Sequence, residues 1–189
     1  SGWTTAAAGN WGTAATWTAN AIPPTATSMG LVTINHAVTQ DVAALASSIN
    51  ISGTGTLTAT ANTLTISNNT TGTNFTNSGT MALSSAHAVT FAGAATHTIS
   101  GTCAFNNINT TTGINFGTSS TINGHFTINA GGFVSVNAPT YGASSTLTYN
   151  TGAGYAASTE WTANALTGQG VPNNVTISTA ATSVNFGAS

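Results

Sequence analysis

From Leu31 onward the chain is a run of short segments in which Thr, Val, Ile, Leu or Phe returns at every second place, each segment closed by Gly, Asn or Ser. A period of two buries one face of an extended strand and wets the other, so the pattern predicts strand after strand, with turns every few residues and little room for helix. The clearest strands are 31–34, 48–51, 56–59, 63–66, 88–91, 126–128, 133–136 and 146–149. Between them stand Gly53-Thr54-Gly55, Asn68-Asn69, Gly72, Asn77-Ser78-Gly79, Gly93, Gly101, Gly113, Gly117, Gly124 and Gly131-Gly132, residues that accept turn conformations closed to branched side chains. Gln40 to Ser47 has the spacing of one helical turn, but Val38, Val42, Ile49 and Ile51 fit successive faces of a coil, and it too reads as strand.

Apolar landmarks at Ile51, Ile66, Leu83, Phe105, Phe126 and Leu147 recur at about 15 to 22 residues, the length of one rung of a parallel β-solenoid. The fold class expected is therefore all-β, a parallel β-solenoid (β-helix) of short rungs with Trp-rich terminal segments. The alternative is a β-sandwich or jelly roll. An immunoglobulin-type sandwich calls for strands every 8 to 12 residues around a central Trp, whereas Trp3, Trp11, Trp17 and Trp161 all lie outside the middle. The chain divides into a Trp- and Pro-rich segment at 1–30, rungs at 31–150, and a closing segment at 151–189 related to the first.

That relation rests on one internal match. Trp17-Thr18-Ala19-Asn20-Ala21 repeats as Trp161-Thr162-Ala163-Asn164-Ala165, and each copy is followed by proline (Pro23-Pro24, Pro172) and then by Val32-Thr33-Ile34 or Val175-Thr176-Ile177. The two ends read as copies of one opening unit.

A Trp-rich opening, a proline turn, a V-T-I strand and a ladder punctuated by Gly and Thr resemble secreted bacterial surface proteins of the adhesin-like β-helix type. The stretch Leu147-Thr148-Tyr149-Asn150-Thr151-Gly152, Glu160-Trp161 and Val171-Pro172-Asn173-Asn174-Val175-Thr176-Ile177 resembles the start of a next module in such proteins. The resemblance implies an extracellular or cell-surface location, a right-handed solenoid, and a structural or adhesive role. Those proteins carry scattered Asp, Lys and Arg, and their calcium-binding versions carry Asp-rich turns. This chain has neither, so calcium binding is not carried over.

Composition excludes much else. The 189 residues include no Lys or Arg and only two acids, Asp41 and Glu160, while about a third are Thr or Ser. Without cations there is nothing to neutralise phosphates, which removes nucleic acid and anionic membrane surfaces as partners. It also leaves no trypsin site. No apolar run approaches a membrane span, and Ser1-Gly2-Trp3-Thr4 reads as a mature secreted form or a segment of a longer protein.

Chemistry has few places to start. Asp41 and Glu160 sit near opposite ends, too far apart in a solenoid to act as an acid–base pair. Asp41 reads as a turn cap and Glu160 as an acceptor of a backbone N–H. His36, His87, His97 and His125 lack the close spacing of a metal motif, although the ten residues from His87 to His97 fit neighbouring sides of one rung. A triad would need an acid that the middle of the chain lacks. Cys103, alone in an apolar stretch, reads as a small core residue. Six Asn-x-Ser/Thr sites, at Asn50, Asn68, Asn69, Asn74, Asn109 and Asn174, match the chance count. No enzyme activity, cofactor or metal is expected.

Solenoid ends expose unpaired backbone and apolar core unless capped or charged. Here no charge is available and the first segment shows no amphipathic helix. The expectation is a structural subunit of an extracellular filament or surface fibre whose partner is itself, joined head to tail through open β ends or strand donation. The candidate contacts are Trp3, Trp11, Trp17, Ile22 and Pro23 at one end, and Trp161, Val175, Ile177, Val184 and Phe186 at the other. One alternative is an ice-binding protein using Thr-x-Thr faces such as 56–58, 63–65 and 96–98, which the lack of a fixed period disfavours. Another is an adhesin passenger repeat, continuous with further chain, whose carbohydrate or surface ligand the sequence does not identify.

Overall fold

The computed structural model describes residues 2–24, 30–162, 165–180 and 182–186. These residues form a parallel β-solenoid of about six full turns, each turn laying one strand on each of three walls. An incomplete opening turn holds β1 (Trp3–Thr4) and β2 (Gly9–Asn10), followed by a short 3-10 helix at Ala14–Thr16. The full turns are β3 (Leu31–Ile34), β4 (Ala37–Gln40) and β5 (Ala44–Ala46); β6 (Ser48–Ile51), β7 (Thr56–Ala59) and β8 (Thr63–Ser67); and β9 (Gly72–Asn77), β10 (Thr80–Leu83) and β11 (Ala88–Ala92). They continue with β12 (His97–Gly101), β13 (Cys103–Phe105) and β14 (Asn107–Thr110); β15 (Gly113–Asn115), β16 (Ser120–Ile122) and β17 (His125–Asn129); and β18 (Phe133–Val134), β19 (Thr140–Tyr141) and β20 (Thr146–Asn150). The closing residues add β21 (Gly154–Ala156), β22 (Asn174–Ile177) and β23 (Ser183–Asn185).

Wall 1 is the sheet β1-β3-β6-β9-β12-β15-β18, and wall 3 is β5-β8-β11-β14-β17-β20-β22. Wall 2 is broken into β2-β4-β7-β10 and β13-β16-β19. Within the stretch from Gln40 to Ser47, expected as strand, only Gln40 and Ala44–Ala46 are strand; Asp41, Val42 and Ala43 turn the corner between walls 2 and 3, and Val42 is exposed. Strand 133–136 is shorter than expected: Val134 points inward, Val136 is exposed, and Phe133 lies outside with its ring over Gly113, where a Cβ would meet it at 2.6 Å.

Because the strands within each wall pair in parallel, and on wall 3 without a register shift, like positions stack into files. Along wall 3 one inward file runs Ala44, Leu64, Val89, Ile108, Phe126, Leu147, Val175, and the next runs Ala46, Ile66, Phe91, Thr110, Ile128, Tyr149, Ile177. Burial of such side chains, worth roughly 1.5–3 kcal/mol each, is the main force holding the stack. Thr110, the one polar member, is sealed in and donates its hydroxyl to the Thr112 carbonyl at 2.7 Å. Corners that stack at a strand spacing of about 4.8 Å bring backbone against backbone. Gly101 (φ +84°) meets this by having no side chain, since a Cβ there would lie 1.9 Å from the Asn77 carbonyl oxygen.

With no ion pairs to call on, asparagine amides stitch the turns. Asn107 donates to the Ser85 and His87 carbonyls at 2.7 and 3.0 Å, Asn106 to that of Leu83, Asn173 to Gly142 and Asn174 to Ser145. These bonds need no charge and vary little with salt.

Candidate functional site

The two ends of the stack are built differently. At the first end the chain leaves β2, turns through the 3-10 helix and returns antiparallel along the free edge of β1. Ala6 N donates to the Thr16 carbonyl at 2.8 Å, Thr18 N donates to that of Thr4 at 2.9 Å, and Thr5 bridges Trp17. The return covers the wall 1 edge. It also drives two indoles inward. Trp11 and Trp17 are fully buried with ring centres 5.0 Å apart, and the Trp17 indole N–H donates to the Trp11 carbonyl at 2.9 Å. Ala44 and Ala46, where later turns carry Leu64 and Ile66, leave volume for them in the same core.

The expectation of an uncapped first end is thus corrected: the cap is an aromatic plug rather than an amphipathic helix. Trp11 and Trp17, expected as contacts, lie inside it and are fully buried. Pro23 is buried as well, Trp3 is half-buried with its ring edge-on to Trp17 at 6.5 Å, and Ile22 is exposed. Among the described residues no strand pairs with the outer edge of β5 on wall 3, and a cavity of about 150 Å³ lined by Ala43, Ala44, Leu45, Thr63 and Thr65 lies beside it.

At the other end the core is left open. Val175 and Ile177 stack on Leu147 and Tyr149, which are fully buried, yet they are themselves 36 % and 52 % exposed, since among the described residues no strand pairs with the outer edge of β22. Trp161 and Phe186 pack edge to face at 4.7 Å, both still partly in solvent, and Val184 is half-buried against the core. Of the five residues predicted from the sequence for this end, Trp161, Val175, Ile177 and Phe186 are exposed and Val184 is half-buried.

The repeated Trp units are not placed alike. The first stands between β2 and β3 and runs along the β1 edge of wall 1. The second stands between β21 and β22, where wall 2 would continue, and there Gln169 bridges Thr140 antiparallel and Gly170 N donates to the Pro139 carbonyl at 3.0 Å. Ala163 and Asn164 of the second copy lie outside the described residues, as do Ser1 and Ser189.

The titratable groups are tied into structure. Asp41 accepts from Gly12 N at 2.8 Å. Glu160 is completely buried; its Oε1 accepts from Ser158 N at 3.0 Å and from the Tyr149 hydroxyl at 3.2 Å, while the Tyr141 hydroxyl donates to its carbonyl at 2.9 Å. Burial, then the nearby carboxylate, pushes the Tyr149 and Tyr155 hydroxyls up, and burial foremost does the same at Tyr141. Tyr155 feels that charge, but its hydroxyl and Glu160 Oε2 both lack a partner in hydrogen-bond geometry. All three tyrosines of the chain thus surround its one glutamate, a cluster that the sequence reading missed. The signal was their position within twenty residues ahead of Glu160.

Gln40 and His87 form a second buried polar pair. Gln40 Nε2 donates to the Val42 and Thr63 carbonyls, so its Oε1 accepts from His87 Nε2 at 2.9 Å. That assigns the neutral tautomer with the proton on Nε2 and leaves Nδ1 buried without a partner. His97 bonds the Ala92 carbonyl at 2.7 Å, His36 Nδ1 meets the Thr5 hydroxyl at 3.0 Å, and His125 is exposed. Burial pushes the Cys103 thiol up to about 12. Among the described residues no group of three or more His, Cys, Asp or Glu could hold a metal, and no helix is long and apolar enough to cross a membrane. Comparison with protein-family models, curated proteins and solved structures finds no match.

Proposed function

We propose that the protein is a structural subunit of an extracellular filament or surface fibre that joins copies of itself head to tail. The observation that carries this reading is the exposed file end: Val175 and Ile177 continue a core buried through six turns, yet are themselves 36 % and 52 % exposed. Covering those side chains recovers about 1–2 kcal/mol apiece. The sealed first end of another copy, with Trp3 and Ile22 at its rim, is a surface of matching polarity. The two ends differ, so the contact is heterologous and repeats without closing, which builds a fibre. The β5 edge, on which no described strand lies, offers a strand acceptor in the same junction.

In this reading the protein is not an enzyme and has no cofactor, and its partner is itself. Near-zero charge removes repulsion between copies and keeps the junction insensitive to salt. The adhesin-repeat alternative covers the same open end with further chain instead of a second copy. Sedimentation velocity of the purified protein separates the two: polymers that grow with concentration support the fibre, and a concentration-independent monomer opposes it.

A further inference from the structure

We propose that the outer face of wall 3 binds an ordered lattice of water, the surface of ice. Register places Leu45, Thr65, Thr90, Asn109, Thr127, Thr148 and Thr176 in one straight outward file. In sequence these residues are separated by anything from 18 to 28 positions, which is why no fixed period is visible there. In space each step is one ladder spacing of about 4.8 Å. The neighbouring outward file, about 6.7 Å away along the strands, is mixed, with Thr63, Ala88 and Asn107 followed by His125, Thr146 and Asn174. The grid is therefore regular along its central file, whose spacing is near the repeat of water molecules in ice.

Three further observations select this wall and this ligand. Wall 3 has seven strands in unbroken register, whereas wall 1 carries a bulge at Asn74 and wall 2 splits after β10. The hydroxyls of Thr65, Thr90, Thr127, Thr148 and Thr176 make no hydrogen bond within the protein, while those of Thr16, Thr54, Thr110 and Thr112 are used on backbone carbonyls. The face also bears no Lys, Arg, Asp or Glu to hold a disordered hydration shell. β-branched Thr is stiff at χ1, so methyl and hydroxyl are presented in fixed positions, and weak contacts repeated over successive turns add as avidity does. The face runs along the side of the stack, so this site stands independently of the end-to-end reading.

The test is partition of the purified protein into a slowly growing ice front, with crystal shape watched in parallel. The expected result is enrichment in the ice and faceted crystals. Thr127→Tyr, pointing to solvent at the middle of the grid, is expected to lower enrichment about tenfold, and Thr58→Tyr on wall 2 to leave it unchanged. Circular dichroism checks the fold of each variant, and Thr148→Lys replaces Thr127→Tyr if that chain does not fold. Exclusion from ice with rounded crystals would overturn the proposal. So would equal effects of the wall 2 and wall 3 variants, or retention by crystalline cellulose in place of ice.

Discussion

Ile177 lies in register opposite Tyr149, one turn further along the same inward file, yet Tyr149 is sealed and Ile177 is half in solvent. The difference is position alone. A side chain in the middle of a stack is covered from both sides by its neighbours in the file, and one in the last turn is covered from one.

That position separates stability from assembly. Ile177→Asp supports nothing above it, so it is expected to cost the subunit about 1 kcal/mol or less, while placing a charge at the proposed junction. Sedimentation velocity should then show monomer at concentrations where the unaltered protein polymerises, with thermal midpoints that differ little.

His87 sets the response to acid. Burial holds its imidazole down at about 4, against an ordinary 6.5, so the unfolded chain takes up a proton first as pH falls. The stability of the neutral ring is complete above pH 6.5 and is lost progressively toward pH 4, by roughly 3 kcal/mol at most. His97, also lowered chiefly by burial, acts in the same direction. Thermal midpoints between pH 7 and 4.5 should fall for the unaltered protein and fall less for His87→Gln, whose amide keeps a donor toward Gln40.

The tyrosine cluster sets the response to alkali. Hydroxyls raised above their ordinary 10 contribute stability below pH 10 that is lost above it, when the unfolded chain ionises first. An ultraviolet titration should show the tyrosines ionising together with unfolding, not before it. Glu160→Gln puts an amide donor where Oε2 has no partner and keeps an acceptor for Ser158 N and the Tyr149 hydroxyl. It is expected to raise the thermal midpoint by a few degrees, about 2–4 °C per kcal/mol gained. Glu160→Ala, which strands the Tyr149 hydroxyl, should lower it.

Gly101→Ala is expected to be the most damaging single methyl in the chain, because strain at positive φ adds to a clash with the Asn77 carbonyl that backbone cannot relieve cheaply. A loss of about 3 kcal/mol or more in urea unfolding checks it.

The parallel solenoid was legible because alternation at Leu31–Ile34, Ser48–Ile51 or Thr56–Ala59 is a local property of strands that bury one face. Its register was not. Corners range from a single residue between β12 and β13 to the long segment between β2 and β3, so landmarks such as Ile51, Leu83 and Phe126 fall on three different walls. The plug at Trp11 and Trp17 was missed because an antiparallel return leaves no periodic trace. Gln40 and His87 meet across an intervening turn where Ala59 stands next to Gln40 in register, a contact 47 residues apart that only the stack brings together.

Electron microscopy of the purified protein tests the end-to-end account most directly. Unbranched filaments one solenoid wide, shortened or absent for Ile177→Asp, are the predicted result. A field of discrete single particles at every concentration, for the unaltered protein as for the variant, would contradict it.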